Sequence, residues 1–242
     1  MMRKIAIVLA LASTALASPT LARDNSWYVG VEGGAMIVED IDYDIGASTA
    51  TVDHDYGWDV DGVVGYDFGA FRVETEVGYR RASVDGFRST TTTPVVGAGG
   101  AFVNAPAGSY DGAGGRTSAL SFMLNGLLDF GDDDGIQGFV GGGVGVARVK
   151  ANYGLTNGGD FVNDSDTVFA WQGLAGIRAP LTDHLDATVK YRFFNADNVR
   201  LVDVTNRTME GRFRSHSILG GVTYNFGEPA APPPPPAPAP VE

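Results

Sequence analysis

Apolar and polar residues alternate with a period of two through most of this chain. Between residues 27 and 37 the odd positions include Trp27, Val29, Val31, Ala35 and Ile37, and the even positions include Gly30, Glu32 and Gly34. Residues 57–68 set Trp58, Val60, Val64, Tyr66 and Phe68 against Asp59, Asp61 and Asp67. Residues 71–82 set Phe71, Val73, Val77 and Tyr79 against Arg72, Glu74, Glu76 and Arg80. Successive side chains on a strand point to opposite faces, so each segment predicts a β-strand with one apolar face and one polar face. Five more strands are predicted at 117–130, 136–151, 167–179, 185–194 and 213–226. The fifth of the eight is rich in glycine, and its facing stays open.

The connections alternate in length. Those after the first, third, fifth and seventh strands are long, and those after the second, fourth and sixth are short. Short periplasmic turns and long outer loops are the habit of an up-and-down outer-membrane barrel. The expected fold is therefore all-β, an eight-stranded antiparallel transmembrane barrel. A lipocalin-like soluble barrel, with its charges outward, is the rival reading. The aromatics near strand ends decide against it: Trp27, Tyr66, Phe68, Phe71, Phe130, Tyr191, Tyr224 and Phe226 fit two interface girdles. Tyr224 and Phe226 close the last strand and serve as its expected assembly signal.

With the apolar face outward, the charges point in. An eight-stranded barrel has room only for side chains. Buried charges must pair. Glu32, Arg72, Glu74, Glu76, Arg80, Arg178, Lys190 and Arg192 are the candidates for a lumenal ion-pair network, with small water pockets and no open pipe.

Arg3 and Lys4 followed by the apolar run 5–12 and by Thr20-Leu21-Ala22 read as a secretory signal. Residues 1–22 are assigned to it, 23–227 to the barrel and 228–242 to a Pro/Ala-rich periplasmic tail. Ala15-Leu16-Ala17 is the competing cleavage site. The tail holds eight prolines and predicts an extended polyproline II segment, roughly 45 Å long. The signal implies export by the general secretion pathway, and the barrel implies the outer membrane of a Gram-negative bacterium. Formal net charge is −12, which excludes nucleic acid as a partner. The chain has no cysteine, so thiol catalysis and disulfides are excluded.

Four stretches carry a resemblance: Trp27-Tyr28-Val29-Gly30, Glu76-Val77-Gly78-Tyr79, Gly141-Gly142-Gly143-Val144-Gly145 and Gly221-Val222-Thr223-Tyr224-Asn225-Phe226-Gly227. In this order, ahead of a Pro/Ala tail, they resemble the N-terminal barrel of the outer membrane protein A family. The resemblance implies a structural barrel with a narrow lumen gated by ion pairs, and it places an inward glutamate at Glu76. Arg178 and Lys190 stand where well-known members carry acids, so the implied network is similar in kind only. In that family such a hinge leads to a peptidoglycan-binding domain. The present sequence stops within the hinge, at Glu242, and that function is not carried over.

The chemistry on offer is slight. His54 falls in the first outer loop, His184 in a periplasmic turn and His216 near the outer end of the last strand. They read as scattered surface histidines, and no enzyme and no cofactor are expected. Asp132-Asp133-Asp134-Gly135 lacks the ligand spacing of a calcium loop. The first outer loop is acidic, and Glu39, Asp40, Asp42 and Asp44 are weak candidates for calcium or magnesium, with a solvated charge run as the alternative. Residues 83–116 read as a mobile outer loop. A structural barrel is the first functional expectation. A small porin-like channel and a surface adhesin or receptor are the alternatives. Expected partners are outer-membrane lipid and lipopolysaccharide, the barrel-assembly machinery, and phage or host surfaces through the loops.

Overall fold

The computed structural model describes residues 25–97, 99–131, 135–155 and 159–227. The expected signal at 1–22, the Asp132-Asp133-Asp134 turn and the tail at 228–242 lie outside the described residues. The strands in chain order are β1 (Ser26–Val38), β2 (Ile41–Ile45), β3 (Ser48–Asp67), β4 (Phe71–Ser89), β5 (Thr93–Val96), β6 (Phe102–Ala105), β7 (Gly108–Tyr110), β8 (Gly114–Phe130), β9 (Gln137–Gly154), β10 (Asp160–Pro180), β11 (Leu185–Val202) and β12 (Thr208–Asn225). Strands β1, β3, β4, β8, β9, β10, β11 and β12 form an antiparallel ring. Pairing of β1 with β12, from Tyr28↔Asn225 to Val38↔Ser215, closes it. These are the eight strands that the alternation predicts.

Crossing the outer membrane takes about 9–11 residues of tilted strand. Seven of the ring strands have 17–21 residues. Their excess lies at the outer end, where the alternation continues with its sense reversed. On β4, Ala82 and Val84 point in while Ser83 and Asp85 point out. On β9, Val149 and Ala151 point in while Arg148 and Lys150 point out. The barrel therefore has two tiers. The membrane-embedded stem is polar inside and apolar outside. The outer tier is apolar inside and polar outside.

Two expectations are corrected here. The acidic first loop is largely a hairpin: β2 pairs with β3 from Ile41↔Val52 to Ile45↔Ser48. Its Ile41 and Tyr43 alternate with Asp42 and Asp44 and are buried in the outer tier. The expected mobile loop at 83–116 is also built of strand. β4 runs on to Ser89, β5 pairs with β6, and β7 returns to β4. Short, glycine-interrupted strands carry a weak period, and local composition hid them.

Backbone pairing of β10 with β11 stops at Ala170↔Ala196. Beyond it the carboxylate of Asp166 accepts the Arg200 N–H at 2.9 Å, and that of Asp164 accepts the Val202 N–H at 2.9 Å. Side chains thus satisfy donors that the ladder leaves open.

Candidate functional site

The polar phase of the stem strands converges on the barrel axis. All eight residues expected in the lumenal network point inward, together with Asp59, Asp61, Asp67, Asp129 and Asp186. Twelve of these thirteen fall into two clusters, and Asp186 accepts a hydrogen bond from Asn225 at 2.9 Å. In the central one, Arg192 from β11 meets Asp59 at 2.9 Å, Asp61 at 2.7 Å and Glu76 at 3.0 Å. Lys190 pairs with Glu32 and stands 3.8 Å from Asp61. Arg80 reaches Asp59 at 3.5 Å. Glu76 also accepts hydrogen bonds from Asn125 at 3.0 Å and Gln172 at 3.1 Å. In the periplasmic cluster, Arg72 meets Asp129 at 2.8 Å and Glu74 at 3.5 Å, and Arg178 meets Asp67 at 2.9 Å.

Neutral groups stitch these ions together. Tyr28 donates to Glu74 at 2.8 Å, Ser217 to Asp59 at 2.9 Å, and Arg178 to the Gln137 amide oxygen at 2.6 Å. A reading based on charge misses them, although their places on the polar phase would have given them away. Gly143 belongs to the same device, because a Cβ there would run into the Asn125 amide. Glycine at that point lets β8 and β9 bring Asn125 against Glu76 and Gln172.

The central cluster is shut to solvent. The side chains of Arg80, Asp59, Arg192, Asp61 and Glu76 are 0% exposed in their pairs, so no water-sized space touches them. Above them lies the apolar interior of the outer tier, including Met36, Val52, Val149, Phe161, Leu201 and Phe213. The tiers meet where the Arg80 guanidinium lies 3.6 Å from the centroid of the Phe194 ring. A cation over a ring face gives a charge a partner in an apolar layer.

A thread of polar groups crosses that apolar interior. The Tyr43 and Tyr153 hydroxyls are 2.9 Å apart, Tyr153 meets Thr117 at 2.9 Å, and Thr117 meets His54 Nε2 at 2.8 Å. Burial lowers the His54 pKa to about 4, against a smaller upward effect of a backbone hydrogen bond at Val52. His54 is thus no surface histidine. Irregular pairing of β3 with β4 between Asp53 and Gly57 turns it inward, and sequence alternation alone does not reveal such a bulge.

A family model for the outer membrane protein beta-barrel domain matches residues 8–226. The chain belongs to that family. A protein named "Putative adhesin" from Rickettsia bellii (strain RML369-C) is 23% identical over 241 residues, covering 93% of this chain and 100% of its own. The outer membrane protein PagN of Salmonella typhimurium (strain LT2) is 26% identical over 117 residues, covering 44% of this chain and 49% of its own. Among solved structures, the outer membrane protein OprG of Pseudomonas aeruginosa is similar, with 14% identity and a TM-score of 0.49 over 86% of this chain and 100% of its own. Membership puts the chain in the outer membrane of the Gram-negative envelope. The resemblance to the outer membrane protein A barrel holds at the level of this shared family.

The other candidate residues scatter over the barrel. Asp42 and Asp44 point outward along β2, and Asp42 accepts a hydrogen bond from Thr51 at 2.7 Å. Glu39 turns to His216 at 3.0 Å and Arg214 at 3.7 Å. With Asp40 included, the four acids expected around a metal do not converge, and no group of three metal-ligating side chains occurs among the described residues. Asp42 and Asp44 share the outward face of β2, whereas Glu39 precedes that strand and turns to His216 and Arg214 on β12. His184 meets the Asn225 carbonyl at 3.1 Å, far from His216, which faces outward against Tyr191 at 2.8 Å. Tyr224 and Phe226 sit on the outer face of the periplasmic rim, 5.1 Å apart, and the Phe226 N–H donates to Trp27 at 2.9 Å. They join the end of the ring to its beginning.

Proposed function

We propose that this protein is a closed, non-conducting barrel that holds a rigid outer tier at the cell surface, and that its activity is adhesion to another surface through that tier. The observation that carries the reading is the sealed lumen. Five charged side chains at the centre touch no water-sized space, and an apolar layer covers them. A solute path would have to break both, which argues against the porin-like alternative. The strands continue past the membrane as paired sheet, so the β5–β6 hairpin is carried on a stiff stalk and exposes Phe102 and Val103. The name of the Rickettsia bellii relative points the same way.

A structural role in the envelope is the second reading, favoured by the tightly paired stem. The two separate by experiment. Cells carrying the protein should bind host-cell monolayers, and deletion of residues 93–105 should abolish binding while the barrel still inserts. Purified protein in planar bilayers should give no steady conductance. Steady single-channel steps would overturn the sealed-lumen reading. Unchanged adhesion after the deletion, with envelope leakage in cells lacking the protein, would favour the structural role.

A further inference from the structure

Among the described residues, a wall of the outer tier carries cations that face no carboxylate. Arg81 on β4, Arg116 on β8, and Arg148 and Lys150 on β9 all lie on the outward phase of their strands. Arg116, Arg148 and Lys150 are exposed. Arg81 is opposite Ser118, and Ser118 is opposite Lys150. Arg116 is opposite Ser83 and Asn152, and Arg148 is opposite Leu120. Strand neighbours are about 4.8 Å apart, so the four charges share a patch roughly 10 Å across three strands.

The height of this patch is informative. Arg81 follows Tyr79 by one outward step on β4 and is opposite Trp58 on β3. Trp58 and Tyr79 pack 5.5 Å apart on the lipid face and belong to the outer aromatic girdle. Arg148 follows the lipid-facing Val146 in the same way. The four cations therefore stand in the first layer outside the hydrocarbon, beside the headgroups of the outer leaflet.

The patch is also unneutralised. Elsewhere in the outer tier, Arg88 faces Asp53, Arg200 faces Glu210, Arg207 faces Asp203 and Arg214 faces Glu39. Arg212 lines a hollow with Asp42, Asp44 and Glu210. Among the described residues, no carboxylate comes within ion-pair distance of Arg81, Arg116, Arg148 or Lys150. The guanidinium of Arg148 is held, among the described residues, only by the Ser165 hydroxyl, at 3.0 and 3.3 Å. In a chain of net charge −12, segregation of free cations onto one wall at one height calls for an anion from outside.

We infer that this wall binds the phosphate groups of lipopolysaccharide in the outer leaflet. Arginine presents paired N–H donors that match phosphate oxygens, and lysine adds a point charge. Cations at this depth are held against an anionic surface by the membrane itself, whereas a soluble polyanion would have to displace the lipid. The site would fix the rotation of the barrel relative to its annular lipid.

The test uses the full chain in nanodiscs. Binding of bisphosphorylated lipid A should weaken at least tenfold in the triple variant Arg116→Gln/Arg148→Gln/Lys150→Gln. The control Arg88→Gln/Arg200→Gln removes two cations that already face carboxylates and should leave binding unchanged. The unaltered protein should bind dephosphorylated lipid A at least tenfold more weakly than the bisphosphorylated form. Heat-modifiable gel migration checks that each variant is folded. Full binding by the folded triple variant would overturn the assignment, as would equal affinity for the dephosphorylated lipid. Loss of heparin binding with lipid A binding intact would assign the wall to sulfated glycans instead.

Discussion

The stem and the outer tier are made by the same strands and solve opposite problems. In the stem the solvent is hydrocarbon, so Val29, Val77 and Leu124 face out and ions fill the interior. In the outer tier the solvent is water, so Val52, Val149 and Leu201 face in and charges line the outside. The parity of the β-strand supplies both arrangements without any change of fold. What differs is the cost of error. The stem is held by charges that each need several partners, and the outer tier by dispersion and apolar burial, which are non-directional.

The stem depends on its directional partners most heavily at Arg192. Removal of its guanidinium by Arg192→Ala strands Asp59, Asp61 and Glu76 in a dry interior. The expected loss is about 3–5 kcal/mol, read by urea unfolding of the barrel in detergent. A loss below about 1 kcal/mol would mean that water reaches the central cluster.

At Leu201 the outer tier should answer differently. Leu201→Ala leaves a cavity and should cost about 3 kcal/mol. The loss should appear as faster proteolysis of the outer strands while the stem keeps its heat-resistant migration. Simultaneous melting of both tiers would show that they are one cooperative unit.

The outer faces sharpen the contrast further. Leu124→Arg places a charge in hydrocarbon and should cost roughly 2–3 kcal/mol. Thr167→Arg, on the outward phase of the outer tier, should be tolerated within about 0.5 kcal/mol. Equal effects in a refolding titration would erase the boundary drawn between the tiers.

The smallest effect is the pH response of His54. Its pKa is lowered to about 4 in the fold by burial, so the unfolded chain binds the proton first. Stability is complete above the unfolded value near 6.5 and falls as pH drops from there toward 4. The outer tier should lose about 1 kcal/mol between about pH 7.5 and 5.5. Hydrogen exchange of β3 and β8 measures this, and His54→Gln should flatten it.

Strand count, facing and the identity of the inward charges were legible in the sequence. Hydrophobic alternation is a local property, and lipid on one side of the sheet makes it strong. Glu76 and Arg80 could be placed in the lumen for that reason. Their partners could not. Arg192 meets Glu76 across 116 residues, and only closure of the ring and the stagger of its strands bring them together. The outer tier was legible least. Residues 83–89 and 41–45 alternate, but the segments are short, and their serines, glycine and aspartates read equally as loop. Whether an apolar position faces lipid or the interior depends on its height in the membrane, and height is a property of the whole barrel. Sequence by itself determined the period and the chemistry of each face. The tertiary structure decided the height at which the two faces exchange their chemistry, because the surrounding solvent changes along the same strand.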